Sequence, residues 1–184
     1  MEKRVNLLPF ITVDGIPTFA DSELKYLFRL IEEAGYVEDA FCDGSIQTPE
    51  DFVNACKSDG IRTWVVTYNG EIRMLAWLDN FKHASAYGHF VATKNDGTTK
   101  QCKEILRIAK ETIRQLLNMK DQDGNYIFAV ILGLIPANND RAAKFSKAFG
   151  MVRVGIIPQA IYNYYNQTYE DGIISYITRK EERP

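Results

Sequence analysis

The chain has 184 residues, 46% of them hydrophobic and 25% charged, with a formal net charge of −2. That is enough for one sizeable core in an ordinary globular composition, and the near-neutral balance excludes a global pull toward nucleic acid or an acidic membrane. Three cysteines without a CxxC spacing and only two histidines make a poor zinc set, so no metal is expected, and the isolated thiols suit a reducing, cytoplasmic compartment.

The start, MEKRVNLLPFITVDG, is basic, but Pro9 and Asp14 break its apolar part and no small-residue cleavage site follows, so it reads as part of the folded chain. No segment approaches the roughly 18 apolar residues of a membrane helix. Val5 to Val13 is predicted as a first strand turned by Asp14-Gly15. Ser22 can cap a helix to about Glu33, with Leu24, Leu27, Phe28 and Ile31 on one face. Tyr36 to Gln47 is acidic and irregular. Thr48-Pro49-Glu50-Asp51 starts a second helix, with a hydroxyl cap, a proline in the first turn and carboxylates at the positive end, stopping by Gly60.

Arg62 to Tyr68 and Glu71 to Leu78 are strands joined by Asn69-Gly70, a strong hairpin signal, and Ser85 to Thr93 returns antiparallel. From about Thr99 to Asn118, Cys102, Ile105, Leu106, Ala109, Ile113, Leu116 and Leu117 fall along one helical face. Thr98 and Gln101 have capping-box spacing. The opposite face carries Lys100, Lys103, Arg107, Lys110 and Arg114. This stripe is a solvated face in which Glu111 pairs Arg107, an attractor of phosphates at its start, or a nucleic-acid contact, the last the least favoured of the three.

Tyr126 to Ile135 reads as a central strand covered on both faces. Asn138 or Asn139 caps the helix after it, Gly150 stops that helix, and Met151 to Ile157 resumes as strand, a unit of crossover size. A tyrosine-rich loop, IYNYYNQTYEDG, precedes a last strand from Ile173 to Arg179. No repeat, linker or boundary divides the chain, so one domain over 1–184 is expected.

Asn139, Ala142, Ser146, Gly150 and Gly155 have the spacing of the second half of the GNAT superfamily of acyl-CoA N-acyltransferases, and the element order over residues 48–180 is similar to that family. The resemblance implies an α/β (α+β) fold with a mixed, mostly antiparallel sheet of about six or seven strands and about four helices. It implies acetyl-CoA as cosubstrate and an amine acceptor of small-molecule or peptide origin.

The family's pyrophosphate loop falls on Lys94-Asn95-Asp96-Gly97-Thr98-Thr99, where a helix N-terminus favours an anion. Only Gly97 clearly matches. Lys94 keeps a cation, Thr98 and Thr99 add hydroxyls, Lys100 adds charge, and Asp96 opposes a phosphate. Glycine-poor loops of this kind resemble divergent, including phage-type, members. The strand backbone around Val91 and Thr93 is implied to receive the coenzyme, and Asn139 to orient backbone or pantetheine amides.

Acyl transfer needs a base, an oxyanion site and an acid for the departing thiolate. An ungapped match back from Gly97 brings His83 near the family's base position, His89 lies mid-strand, and either is suited to the role. The position of the family's tyrosine acid is Ser146, a far weaker acid. Asp39, Asp43, Glu170 and Asp171 could attract a cationic amine and Tyr162, Tyr164 and Tyr165 could cover it, or the aromatic loop could serve packing or a homodimer contact. The alternative function is a GNAT-like interaction protein without catalysis.

Overall fold

The computed structural model describes residues 4–94 and 96–179. The β-branched run of β4 (Arg62–Tyr68) turns through Asn69-Gly70 into β5 (Glu71–Lys82). Both turn residues have positive φ, 53° and 84°, as a two-residue hairpin loop of the mirror-image type requires. On the outer side of β4, β1 (Val5–Pro9) pairs antiparallel from Val5↔Tyr68 to Pro9↔Trp64. The strand predicted to run to Val13 stops at Pro9. Beyond it β2 (Thr12–Val13) and β3 (Ile16–Pro17) form a separate exposed hairpin around Asp14-Gly15.

On the other side of β5 lies β6 (Ser85–Ala92), antiparallel, followed by β7 (Val130–Pro136), β9 (Thr168–Thr178) and β8 (Val152–Asn163). The sheet order is β1-β4-β5-β6-β7-β9-β8, and β6–β7 is the parallel pair. Thus β7 and β8 run parallel, as a crossover requires, but β9 returns between them. Residues 161–172, expected as a tyrosine-rich loop, are largely the end of β8 and the start of β9, paired as Tyr162↔Tyr169 and Asn163↔Thr168. Residues 126–129 lie before the strand of which they were expected to be the beginning.

Among the described residues, five helices cover the sheet. On one face α1 (Asp21–Glu33), the four-residue α2 (Val37–Ala40) and α3 (Pro49–Cys56) bury Leu24, Phe28, Ile31, Phe41 and Phe52 against Val65, Leu75, Trp77 and Val91. On the other, α4 (Thr99–Leu117) and α5 (Asp140–Phe149) bury Ile105, Ile108, Ile113, Leu116 and Phe149 against Val66, Met74, Leu78 and Ile131. Each such fully buried side chain stabilises the fold by about 1.5–3 kcal/mol.

The helix starts follow local chemistry. Thr48 Oγ1 accepts the Asp51 amide at 3.1 Å and the Asp51 carboxylate accepts the Thr48 amide at 2.9 Å, a reciprocal cap. Ser22 is not the cap of α1: the chain turns at Ala20, whose amide donates to Glu23 Oε2 at 2.7 Å. In α5, Asn139 rather than Asn138 is the cap, its Oδ1 accepting the Ala142 amide at 2.9 Å. Gly150 ends that helix at φ +114°, a left-handed conformation.

Two details of α4 differ from expectation. Cys102 is exposed while Gln101, Ile108 and Thr112 are buried, because the buried face of the helix runs through Gln101, Ile105, Ile108 and Thr112 and leaves Cys102 on its flank. Glu111 pairs with Arg114 at 2.6 Å, not with Arg107, whose guanidinium lies over the Tyr68 ring and donates to its hydroxyl at 2.7 Å.

Candidate active site

The parallel pair β6–β7 holds together for only three residues, from Ser85↔Val130 to Tyr87↔Leu132. Beyond Tyr87 the two strands diverge. Gly88 stands at the fork, where a Cβ would come within 2.6 Å of Ile131 Cγ2. The Thr93 amide donates to Arg73 O, on the β5 side, whereas Ala84 O accepts from Ala129 on the β7 side. By the alternation of an extended strand, the backbone groups of Phe90 and Ala92 therefore face the fork, beyond the last β7 partner. Leu134 looks back at them from β7.

The fork opens into a cleft of about 310 Å³. Its walls are Gly88–Ala92 of β6, Gly133–Pro136 of β7, the first turns of α4 through Gln101, Cys102 and Ile105, and one side of α5 through Asn139, Ala142, Ser146 and Phe149. Tyr36, Asp39 and Ala40 close it from the α1–α3 face, and Arg141 lies over the Tyr36 ring at 4.5 Å. The Tyr36 hydroxyl is pushed up by burial against the opposing pull of Arg141.

At the mouth, Lys94 lines the cleft and its Nζ lies 3.5 Å from Glu71. Gly97 has φ +69°. Asp96 is folded inward on its own turn: its Oδ1 accepts the Thr98 amide at 2.8 Å and the Thr98 hydroxyl at 2.7 Å, which holds the carboxyl below its usual range. The Thr98 hydroxyl also accepts the Gln101 amide at 3.2 Å, and Gln101 Oε1 takes the Asp96 amide at 2.7 Å, so the expected reciprocal cap is widened by two residues. The amides of Thr99 and Lys100 have no hydrogen-bond partner among the described residues and point out of the helix start. Asn95, the remaining residue of this loop, lies outside the described residues.

His89 projects from β6 toward the α1–α3 face and lines the cleft. Its ring stacks on Trp77, 5.0 Å away and 2° from coplanar, and Trp77 stacks on Phe41 at 5.4 Å. His83 is not at the site: it sits at φ +52° in the exposed β5–β6 turn, at the closed end of the fork. It lies there because β5 runs on to Lys82, which pairs with Ser85 and leaves His83 in the turn. Ser146 lines the cleft but is buried, its hydroxyl donating to Ala143 O at 3.0 Å. Val91 turns its side chain into the α1–α3 core and Thr93 donates to Ile72 O at 3.1 Å, so neither side chain is available to a ligand.

A second cavity of about 490 Å³ adjoins the first, sharing Asp39, Pro136, Asn139 and Arg141. Four carboxylates, Glu38, Asp39, Asp140 and Glu170, face one guanidinium, Arg141, and Tyr165 and Asn163 complete the wall. Glu170 Oε1 accepts from Asn163 at 2.9 Å while its buried Oε2 has no hydrogen-bond partner among the described residues. Asn139 bridges the two cavities, capping α5 through Oδ1 and donating from Nδ2 to Asp39 at 3.2 Å.

Asp43, Tyr162 and Tyr164 line neither cavity. Asp43 is folded onto Ser45, Tyr162 packs on Tyr169 in the β8–β9 ladder, and Tyr164 covers Gly44. The polar run that reads as a loop is a hairpin, with Tyr162 and Tyr169 paired across its strands and Tyr164 and Tyr165 in its turn. Glu38, Asp140 and Arg141 carry no sequence signal beyond their charge. Among the described residues no cluster of His, Cys, Asp and Glu could hold a metal ion, and no helix is long and apolar enough to cross a membrane.

No protein-family model matches the sequence, and a comparison with curated proteins gives no match. Solved structures do match over nearly the whole chain. The ribosomal-protein-S5-alanine acetyltransferase of Vibrio fischeri has a TM-score of 0.64 at 16% identity, covering 99% of this chain and 96% of that one. Spermidine N-acetyltransferase of Vibrio cholerae, solved with CoA and spermine, has a TM-score of 0.62 at 16% identity with 95% of each chain covered. The microcin C7 self-immunity acetyltransferase, solved with acetyl-CoA and AMP, has a TM-score of 0.66 at 13% identity, covering 95% of this chain and 92% of that one. The forked seven-stranded sheet and its five helices therefore give this chain the GNAT fold.

Proposed function

We propose that the protein is an acyl-CoA-dependent N-acyltransferase that moves an acetyl group to a cationic primary amine. The observation that carries this reading is the fork, whose β6 edge at Phe90 and Ala92 offers backbone donors and acceptors to an extended ligand. A pantetheine arm carries two amides and can add to that edge as a strand would. A strand N–H in the same gap can polarise the thioester carbonyl and hold the developing oxyanion.

The start of α4 supports the diphosphate end: the Thr99 and Lys100 amides, the helix dipole and the Lys94 and Lys100 charges favour an anion there. Asp96 weakens that field less than its charge suggests, since its carboxylate is turned onto Thr98. The second cavity, with four carboxylates against one guanidinium, suits an ammonium approaching from the side opposite the coenzyme. That neighbours of this fold were solved with CoA, acetyl-CoA or spermine is in keeping with both halves.

In this reading His89 takes a proton from the acceptor ammonium. The amine lone pair forms the C–N bond, the C–S bond breaks, and the thiolate leaves with its electron pair. A second proton from nitrogen balances the thiol, giving amide, CoA-SH and one released proton. Ser146 cannot supply that proton while its hydroxyl is committed to Ala143 O.

Calorimetry with acetyl-CoA, followed by CoA release across a panel of mono-, di- and polyamines, tests the reading. Binding with turnover of cationic amines is expected. No heat at millimolar acetyl-CoA overturns it. The committed Ser146 hydroxyl favours a second reading, a binding protein without catalysis, for which acetyl-CoA binds and no amine is turned over.

A further inference from the structure

Asp79, at the exit of β5 from the core, matches no element of the chemistry described so far. Strand register makes it a neighbour of His89: Trp77 stands opposite His89 and Asp79 opposite Tyr87, so Asp79 and His89 are diagonal partners on the α1–α3 face. Their approach is 3.1 Å, from His89 Nε2 to Asp79 Oδ2. The contact has the distance of a hydrogen bond without its alignment, and among the described residues the buried Nε2 has no hydrogen-bond partner. A buried ring nitrogen beside a carboxylate gains from donating to it.

Both ends of this contact are fixed. Asp79 Oδ1 accepts from Asn80 Nδ2 at 3.0 Å, so the carboxylate presents Oδ2 to the ring. The ring is clamped flat on Trp77, which is itself clamped on Phe41. The His89 side chain is 36% exposed although Nε2 is buried, so its open edge lies away from Asp79. The remaining charged groups of the cleft have other partners: Asp39 of α2 is held by Asn139, Arg141 of α5 lies on Tyr36, and Lys94 is near Glu71. Asp79 is the charged group within ion-pair distance of His89 among the described residues.

We infer that Asp79 is a positioning residue that fixes the His89 tautomer with the proton on Nε2, leaving Nδ1 as the acceptor of the proton lost by the amine. This rests on the N-acyltransferase reading. The carboxylate holds the Nε2 proton and Nδ1 receives the ammonium proton, the 3.1 Å contact being kept throughout. Asp79 itself touches neither acyl donor nor acceptor.

Two measurements separate this role from a structural one. The first is nitrogen-resolved NMR of the two imidazoles of the unliganded protein, with His83→Gln assigning them. A neutral His89 protonated on Nε2 is expected, with the Nδ1-protonated form gaining population in Asp79→Asn. A wild-type His89 protonated on Nδ1, or a tautomer indifferent to Asp79→Asn, overturns the inference without bearing on acyl transfer.

The second is a kinetic cycle with the fastest amine found. His89→Ala is expected to lower kcat roughly 100-fold, and Asp79→Asn about tenfold with the KM for acetyl-CoA unchanged. The double variant should be no slower than His89→Ala alone. Additive losses assign Asp79 to the scaffold and overturn the role. Absence of turnover in the wild type, with the expected tautomer present, overturns the acyl-transfer reading and the role with it.

Discussion

The close packing of Ile131 under β6 at the head of the fork depends on one missing methyl group, and Gly88→Ala tests that dependence. The added Cβ would meet Ile131 Cγ2 at 2.6 Å, Phe90 Cε2 at 3.1 Å and Leu78 Cδ2 at 3.3 Å. Leu78 and Ile131 are fully buried and packed against α4, so the first contact is relieved only by moving a strand. Overpacking of this kind costs about 1–3 kcal/mol, a fall in Tm of roughly 2–12 °C for a chain of this length. Ile131→Ala alone costs about 2–5 kcal/mol through its cavity. In the double variant the new methyl occupies part of that cavity, so the costs should fall short of their sum by about 0.5–3 kcal/mol. Urea denaturation of the four proteins measures this. Strictly additive free energies, or a Gly88→Ala protein as stable as wild type, would refute the claim that the packing of Ile131 at the head of the fork requires glycine at 88.

Thr48→Ala removes the acceptor for the Asp51 amide and should cost about 1 kcal/mol, read by denaturant midpoint. The Asp51 carboxyl lies below its usual range, chiefly through the Thr48 hydroxyl and then the amides of Gln47 and Thr48. Its contribution is therefore full above its unfolded value near ~4 and lost as pH falls through the lower folded value. Asp51→Asn should lower Tm at pH 7 and converge on wild type in strong acid; an equal difference at both pH values would contradict the assignment. Burial pushes the Cys56 thiol from 9.0 to about 11, so near neutrality it holds roughly 100-fold less thiolate than an ordinary cysteine. A thiol reagent should modify exposed Cys102 first and Cys56 only on unfolding, which mass spectrometry of partly labelled protein reads directly. Asp96→Asn keeps an acceptor for Thr98 while removing a charge beside the α4 start, so acetyl-CoA should bind about 3–10-fold tighter at low salt and the gain should shrink as salt rises. An unchanged calorimetric affinity would place the diphosphate elsewhere. Asn139→Asp keeps the α5 cap but sets two carboxylates together at Asp39, so the KM for a cationic acceptor should change several-fold while that for acetyl-CoA holds; the reverse pattern would assign Asn139 to the coenzyme.

What the sequence reveals about this molecule is what is decided locally. Asn69-Gly70 specifies its own turn, Thr48 to Asp51 and Asn139 to Gly150 carry their own caps, and the apolar stripe of α4 survives in the structure at Ile105, Ala109, Ile113 and Leu116. The errors fall where the answer depends on a distant segment. Cys102 continues the apolar stripe of α4 by spacing, but the buried face is centred on Gln101, Ile105, Ile108 and Thr112, so the thiol is exposed at the cleft. Tyr162 to Tyr169 contains no apolar alternation and reads as loop. Its strands exist because β9 is already held by β7 along Val130↔Thr178 to Pro136↔Gly172, which extends a template for the end of β8.

The candidate site is more distant still from anything local, because it is made by a pairing that stops. Neither β6 nor β7 carries a residue that says their ladder ends after Tyr87 and Leu132; the glycine at 88 is visible in the sequence, but its clash with Ile131 is not. The same holds for the histidines. His83 and His89 are six positions apart, and counting along the chain favours the one at the strand start. Register separates them: the extension of β5 to Lys82 leaves His83 in the turn, and the pairing of Trp77 with His89 sets Asp79 3.1 Å from its imidazole. A residue's surroundings here follow from which strand atom it stands across from, so the proposed base and its carboxylate become visible only once the antiparallel register of β5 and β6 is known.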